Sequence, residues 1–420
     1  MSGEVGKIFE KKVDLRTEPN FEVAPFLLLA SREHLSEEEG ARLVDLAPKG
    51  IEEWTYLRDI SEKLHVLPFL HHHVVRFKLL SEEQIGALGL KQAAMNSTMR
   101  WLLVLAAQRN FLEKCLEPLN VRNVFLKGLT LCEIYETPSL RTSRDIDVLV
   151  DPADFGDILS LARQNGYKIM LDPKRGIFAQ TEDEEKFAEF FKSDLAVISP
   201  EGILIEVHSN IDADLFKVSL EEVFATCQSV HLGGKDFNVM NYDILIPYLC
   251  SHHSRHFWDS LKWLADMSAL RHYYRANAAA VDGIAREYGL EDVLKVSFGF
   301  EAATRSDTSD PASWPEDPRV RQLLRLSMLR IGNHNAHSEE IVSEIASLPR
   351  WWAPAASRMS YLLRQANRSF KPNIKDYFLL KLPYELRWLY FISSFFRFCG
   401  RQISMAFSWL KKLLVPAGLR

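Results

Sequence analysis

Residues 125–151, FLKGLTLCEIYETPSLRTSRDIDVLVD, decide how the rest of the chain is read. Val121–Lys127 is short, β-branched and apolar, so it predicts a strand that Gly128 ends. Leu129–Tyr135 predicts a short helix, Pro138 and Ser139 a loop, and Asp145–Val150 a second strand. Side chains alternate faces along a strand, so Asp145 and Asp147 point to one side, roughly 6–7 Å apart. Two carboxylates so placed can converge on one or two hard cations. Mg²⁺ takes oxygen ligands and only a few of them from protein. Val148 to Val150 continue apolar, which buries the strand and leaves the acids at its mouth.

Downstream, Asp151-Pro152 opens a helix to about Asn165, closed by Gly166. Asp194–Ser199 and Ile203–His208 read as a hairpin joined by Ser-Pro-Glu-Gly. Glu206 sits in that second strand among Ile203, Leu204, Ile205 and Val207, where a charge needs a partner or an ion. An isolated D-x-D is common, and a lone strand Glu can be a sheet-edge residue. The three acids in this order supply what two-metal phosphoryl transfer requires. His208 lies two residues on, shares the face of Glu206, and could orient a ligand or contact substrate. Asp147→Asn is expected to abolish transfer and keep the fold, since removing a clustered like charge relieves repulsion.

A strand ending in Gly before a helix lets phosphate oxygens approach backbone N–H groups. Lys127 could add a point charge and Thr130 a hydroxyl, although Lys-Gly read alone is only a turn. Arg141 and Arg144, beside the acids, could bind a triphosphate or pair with Asp145 or Asp147. His252 and His256 share a helix face and could hold zinc, but His253 stands where H-E-x-x-H has its Glu. A structural or substrate-lining role fits them better. Lys262 and Asp266 are spaced as a helix-stabilising pair. His71–His73 cannot share one helix face, so a surface or core role is expected.

Strand–helix–strand followed by a hairpin means a mixed sheet backed by helices, an α+β fold. The expected organisation is a lead-in (1–25), an N-terminal helical layer (26–118), the core (119–242), a helical domain (243–306), a proline-rich loop (307–318) and a C-terminal helical region (319–420). In the N-terminal layer, Ser36 and Ser81 look like helix starts and Met99–Leu116 has helical spacing.

The net charge of −5 over 420 residues excludes a nucleic-acid coat, and no strong duplex-binding signal is present. The charge is uneven. From Arg350 onward there are 13 Lys and Arg against two acids, a balance of +11, which leaves −16 for the first 349 residues. The five scattered cysteines form no C-x-x-C pair, and MSGEVGKIFEKKVDLR lacks an apolar core, so a cytoplasmic chain is expected. Leu386–Val415, placed on a helix, sorts Arg387, Arg397, Arg401, Lys411 and Lys412 into roughly a 120° arc opposite Ile392, Phe395, Phe396 and Phe407. Such a tail fits an anionic membrane surface or a protein partner, peripheral to the inner face of the membrane. The plainer alternative packs it on its own domain with the basic face in water.

The stretch 125–151 resembles the uncharacterised bacterial nucleotidyltransferase family of the DNA polymerase β-like superfamily: apolar-Lys-Gly, a Tyr-containing helix, Arg, then D-I-D-[LV]-L-V. ILIEVHSNI (203–211) is similar to its third-acid strand, and SHHSRHFWDSLKWLADMSAL (251–270) to its His-rich helix leading to L-[KR]-W-L-x-D. HVLPFLHHHV (65–74) fits its N-terminal layer. The resemblance covers roughly residues 25–275. It implies a polymerase β-like core with helical flanks, Asp145, Asp147 and Glu206 as ligands of Mg²⁺ or Mn²⁺, and Lys127, Gly128 and Arg141 at the nucleotide phosphates. Lys262 facing the site fits the same motif. The superfamily's Gly-Ser start is Gly128-Leu129-Thr130 here, and the Ser that usually precedes the first Asp is displaced to Ser143, before Arg144. The expected reaction moves a nucleoside monophosphate from an NTP to an acceptor hydroxyl on a small molecule, a protein or an RNA 3′ end. The alternative is a non-catalytic nucleotide- or partner-binding protein on the same fold.

Overall fold

The computed structural model describes residues 22–191, 194–211, 216, 218–309, 313–333, 341 and 371–400. The chain divides into two compact units whose segments alternate along the sequence. One comprises Met1–Leu102, Gly128–Ser143 and Asn241–Trp352; the other comprises Leu103–Lys127, Arg144–Met240 and Ala353–Arg420.

The second unit is built on an eight-stranded mixed sheet of order β4-β3-β5-β6-β2-β1-β8-β7. The central strands are β1 (Asn123–Phe125), β2 (Asp145–Val150), β5 (Asp194–Ile198) and β6 (Leu204–His208). β2 is buried from Ile146 to Val150, which is why its sequence is continuously apolar past the acids. It pairs parallel with β6, and the register sets Asp145 opposite Leu204, Asp147 opposite Glu206 and Leu149 opposite His208. β5 and β6 form the expected antiparallel hairpin, with Asp194 opposite His208. β3 (Lys168–Asp172), β4 (Ile177–Phe178), β7 (Gln228–Leu232) and β8 (Lys235–Val239) extend the sheet to both sides.

The expected helix after Asp151 begins with a 3₁₀ turn, Pro152–Asp154, capped by the Asp151 side chain on the Ala153 N–H. It continues as Phe155–Gln164. Gly166, at φ +81°, closes it in the left-handed region that favours glycine. Leu129–Tyr135 is not an α-helix; it lies in the 3₁₀ turns Gly128–Ile134.

The first unit is helical among its described residues. Ser36 and Ser81 each start a helix through a full capping box, with Glu39 and Gln84 returning the bond. Tyr242–Arg255, Lys262–Ala276, Ala278–Glu287, Glu291–Ala303 and Pro318–Gly332 form the later helices. The segment Gly128–Ser143 belongs here and is anchored by Asp266. Arg141 donates to both carboxylate oxygens (2.8 and 3.0 Å), and the Tyr135 hydroxyl adds a third bond at 2.7 Å. No helix among the described residues is long and apolar enough to cross a membrane.

Candidate active site

Register alone brings Asp147 and Glu206 to neighbouring positions on β2 and β6, because paired residues of parallel strands face the same side. Ligand atoms of Asp147, Glu206 and His208 lie within 4.8 Å of one another. Asp145, at the partly buried first residue of β2, lies outside that set, yet its charge still acts on Glu206.

Asp147 is 1 % exposed and carries an asymmetric load. Its Oδ1 accepts from His208 Nε2 at 2.9 Å and faces Lys127 Nζ at 3.2 Å. Its Oδ2 is buried with no hydrogen-bond partner. His208 is clamped from the other side by Asp194, whose Oδ1 is 3.1 Å from Nδ1. Burial opposes the imidazolium, but the hydrogen bonds to Asp147 and Asp194 outweigh it and raise the pKa to about 9. His208 is therefore charged at neutral pH, and both ring nitrogens donate. Burial likewise opposes the Asp147 carboxylate, but the Lys127 charge and the His208 hydrogen bond hold it well below the usual carboxylate range. Glu206 is displaced the other way: burial first, then the Asp147 charge, push its pKa up.

These shifts correct one expectation. Asp147 is not the acid that gains from losing its charge, because two cations already stabilise it. The relief of like-charge repulsion belongs to Glu206.

His208 Nε2 is already given to Asp147 Oδ1 and its Nδ1 faces Asp194, so in this arrangement His208 positions Asp147. The oxygens left for a cation within the cluster are Asp147 Oδ2 and those of Glu206, with the Asp145 charge acting nearby. The set is all oxygen, anionic and partly dehydrated, and it includes a buried oxygen that lacks the bond its burial demands. Those residues fit Mg²⁺ or Mn²⁺.

The other residues of the motifs are placed as follows. Gly128 takes φ +77°, a backbone only glycine adopts freely, directly after Lys127. The side chain of Thr130 lies outside what is described. Ser143 is buried. Arg141 is buried and engages Asp266 in place of Asp145 or Asp147. The reason is electrostatic: a fully buried carboxylate needs a bidentate partner, and the Asp266 charge outweighs the burial that opposes the Arg141 charge. Lys262 starts its helix and its charge acts on Asp259. The His252 and His256 rings sit 4.8 Å apart, each packed near Trp263. Neither belongs to a three-residue metal-ligating group among the described residues. His73 is a core residue, its Nε2 2.6 Å from the Arg32 carbonyl.

Asp194 is the member of the site that the sequence reading passed over. The signal was available: once the hairpin is closed by the turn after Ser199, counting back along it sets Asp194 beside His208.

No curated protein matches the chain. Residues 51–302 match the model of a family described as uncharacterised nucleotidyltransferase, a span that includes all three acids, Lys127 and His208. Three-fifths of the chain is covered, and the protein belongs to this nucleotidyltransferase family.

Proposed function

We propose that the protein transfers a nucleoside monophosphate from a nucleoside triphosphate to an acceptor hydroxyl, in a Mg²⁺- or Mn²⁺-dependent reaction on a polymerase β-like core. The observation that carries this reading is the buried, unpartnered Oδ2 of Asp147 in a cluster with Glu206 and His208. Asp145, Asp147 and Glu206 would hold the cation. A divalent ion there supplies Lewis acidity, offsetting triphosphate charge and lowering the pKa of the acceptor hydroxyl.

The chain's own groups set the stage for that chemistry. His208, pinned between Asp194 and Asp147, fixes the rotation of the Asp147 carboxylate and so the direction of Oδ2. Lys127 neutralises Oδ1, and its ammonium, followed by a glycine without Cβ, suits phosphate oxygens. Burial and the Asp147 charge push the Glu206 pKa up, so an added cation would favour its ionised form. The roles we assign to Gly128, Thr130, Ser143 and Lys262 at the triphosphate, and to His252 and His256 along the acceptor, rest on the order of their motifs. Arg141 we read as holding the 128–143 segment through Asp266. The five unpaired thiols suit a reducing compartment, and we place the reaction in the cytoplasm.

A second reading has one observation behind it. Asp147 Oδ1 is already engaged by Lys127 and His208, as it would be in a protein that binds nucleotide without turning it over. One experiment separates the two. The protein is incubated with each α-labelled triphosphate, Mg²⁺ or Mn²⁺, and a cell extract as the source of acceptor. Cation-dependent label transfer that Asp147→Asn abolishes is the expected result. Triphosphate bound but never consumed establishes the second reading instead.

A further inference from the structure

The C-terminal residues 390–400 are helical, as the sequence suggests, but the helix is turned over. The face packed on its own unit carries Tyr390, Ser393, Ser394 and Arg397. Tyr390 is buried against Phe187 and Phe191, with ring centroids at 5.7 and 5.3 Å. Arg397, expected on a solvated basic face, is held by both oxygens of buried Asp376 at 3.0 Å. The Ser393 hydroxyl reaches the same carboxylate. The opposite face is apolar and points outward. Trp388, Phe391, Ile392, Phe395 and Phe396 are 49–68 % exposed. Phe407, the other aromatic of that expected face, lies outside the described residues.

This arrangement is not ordinary surface. A helix normally turns its apolar side inward, and a contiguous exposed aromatic patch marks a binding face. Here Asp376 fixes the orientation by taking Arg397, so the aromatics are held outward by an ion pair and not left there by a weak amphipathic pattern.

Charge names the occupant. Exposed Lys371 lies beside Arg397, whose guanidinium donates to the Lys371 carbonyl. Lys375 is exposed on the same segment, while Lys381 pairs with Glu184 at 3.4 Å. From Lys371 to Arg420 there are nine Lys and Arg against two acids, and one of those acids is already neutralised by Arg397. An apolar aromatic face on a strongly basic segment matches the boundary between acyl chains and anionic headgroups. With one face apolar and the other ion-paired to its own unit, the helix would lie in the plane of the surface.

We propose that the face of Trp388, Phe391, Ile392, Phe395 and Phe396 docks the protein in plane on an anionic lipid bilayer, with the basic residues of the same segment drawn to its headgroups. The proposal stands apart from the nucleotidyl-transfer reading and is tested without it. The full chain is sedimented with vesicles of phosphatidylcholine alone and of phosphatidylcholine mixed with phosphatidylserine. The expected result is binding to the mixed vesicles that weakens with salt, and about a tenfold or larger loss for the triple variant W388A/F395A/F396A at every salt concentration. Lys371→Gln with Lys375→Gln should weaken binding at low salt and change little at high salt. All these side chains are exposed, and an unshifted thermal midpoint confirms that the variants fold. Equal vesicle binding by the wild type and the aromatic variant overturns the proposal. So does a wild type that ignores both vesicles and instead self-associates in a way the aromatic variant abolishes.

Discussion

Asp147 and Asp266 are both buried, 1 % and 0 % exposed, and each faces a cation, yet they do opposite work. Asp266, in the helical unit, has every oxygen answered: Arg141 bonds both, and Tyr135 adds to one. Asp147, in the sheet unit, crowds Lys127 and His208 onto Oδ1 and leaves Oδ2 with nothing. Burial and an opposite charge therefore do not separate a structural acid from one we propose as a cation ligand. The count of satisfied lone pairs does. A saturated carboxylate holds a segment in place, while a half-saturated one has bonding capacity left for something that arrives.

The largest expected effect is on turnover. Asp147→Asn should lower nucleotidyl transfer by about 10⁴-fold or more, above roughly 5 kcal/mol of transition-state stabilisation, read as a ratio of kcat/KM. Asp266→Ala should do the reverse, with stability lost first. Removing one partner of a buried pair costs on the order of 3–5 kcal/mol, so urea unfolding should show that drop. Replacing the pair together, Asp266→Leu with Arg141→Met, should recover most of it. If Asp266→Ala kept its stability and Asp147→Asn kept full nucleotidyl transfer, the comparison would collapse.

pH sharpens the contrast. His208 has a folded pKa of about 9 against an ordinary value of 6.5, so its protonated form is favoured in the fold. That contribution is fully present below pH 6.5 and is lost as pH rises through 9. Its size in the metal-free protein is on the order of 3 kcal/mol. His208→Gln should flatten the decline in thermal midpoint over that window, and an unchanged decline would remove His208 as its source. The smallest effect carries the most pointed sign. Glu206→Gln should leave the metal-free protein as stable as the wild type or slightly more so, because burial and the Asp147 charge disfavour the Glu206 carboxylate. A clear loss of stability would mean that Glu206 is a structural acid after all.

How much of this was legible depends on how local each signal is. β2 is found at Asp145–Val150, as its apolar run predicted, because both ends are marked by charge. The capping boxes at Ser36 and Ser81 were written within four residues each. The β7–β8 hairpin went unread although Gly233 and Gly234, both at positive φ, are its natural two-residue turn. Its strands, QSVHL and KDFNV, alternate too polar a set to stand out. Distance along the chain hid the rest. Arg141 finds Asp266 across 125 residues, and nothing near Arg141 says so. The alternation of the two units along the sequence is likewise a property of long-range packing, which periodicity does not record. In the tail, periodicity sorted the faces but could not say which would point inward; Asp376 decides that, 21 residues before Arg397.

The central claim is that the unanswered oxygen of Asp147 is a cation ligand. Mn²⁺ titration followed by electron paramagnetic resonance tests it directly on metal-free wild type, Asp147→Asn and Asp266→Asn. The account predicts that the wild type binds Mn²⁺ and that Mg²⁺ displaces it. Affinity should fall by about 100-fold in Asp147→Asn, in line with the loss of one anionic oxygen ligand, and stay at the wild-type level in whatever fraction of Asp266→Asn is folded. Wild-type and Asp147→Asn proteins that bind Mn²⁺ equally, or a wild type that binds none, would contradict it.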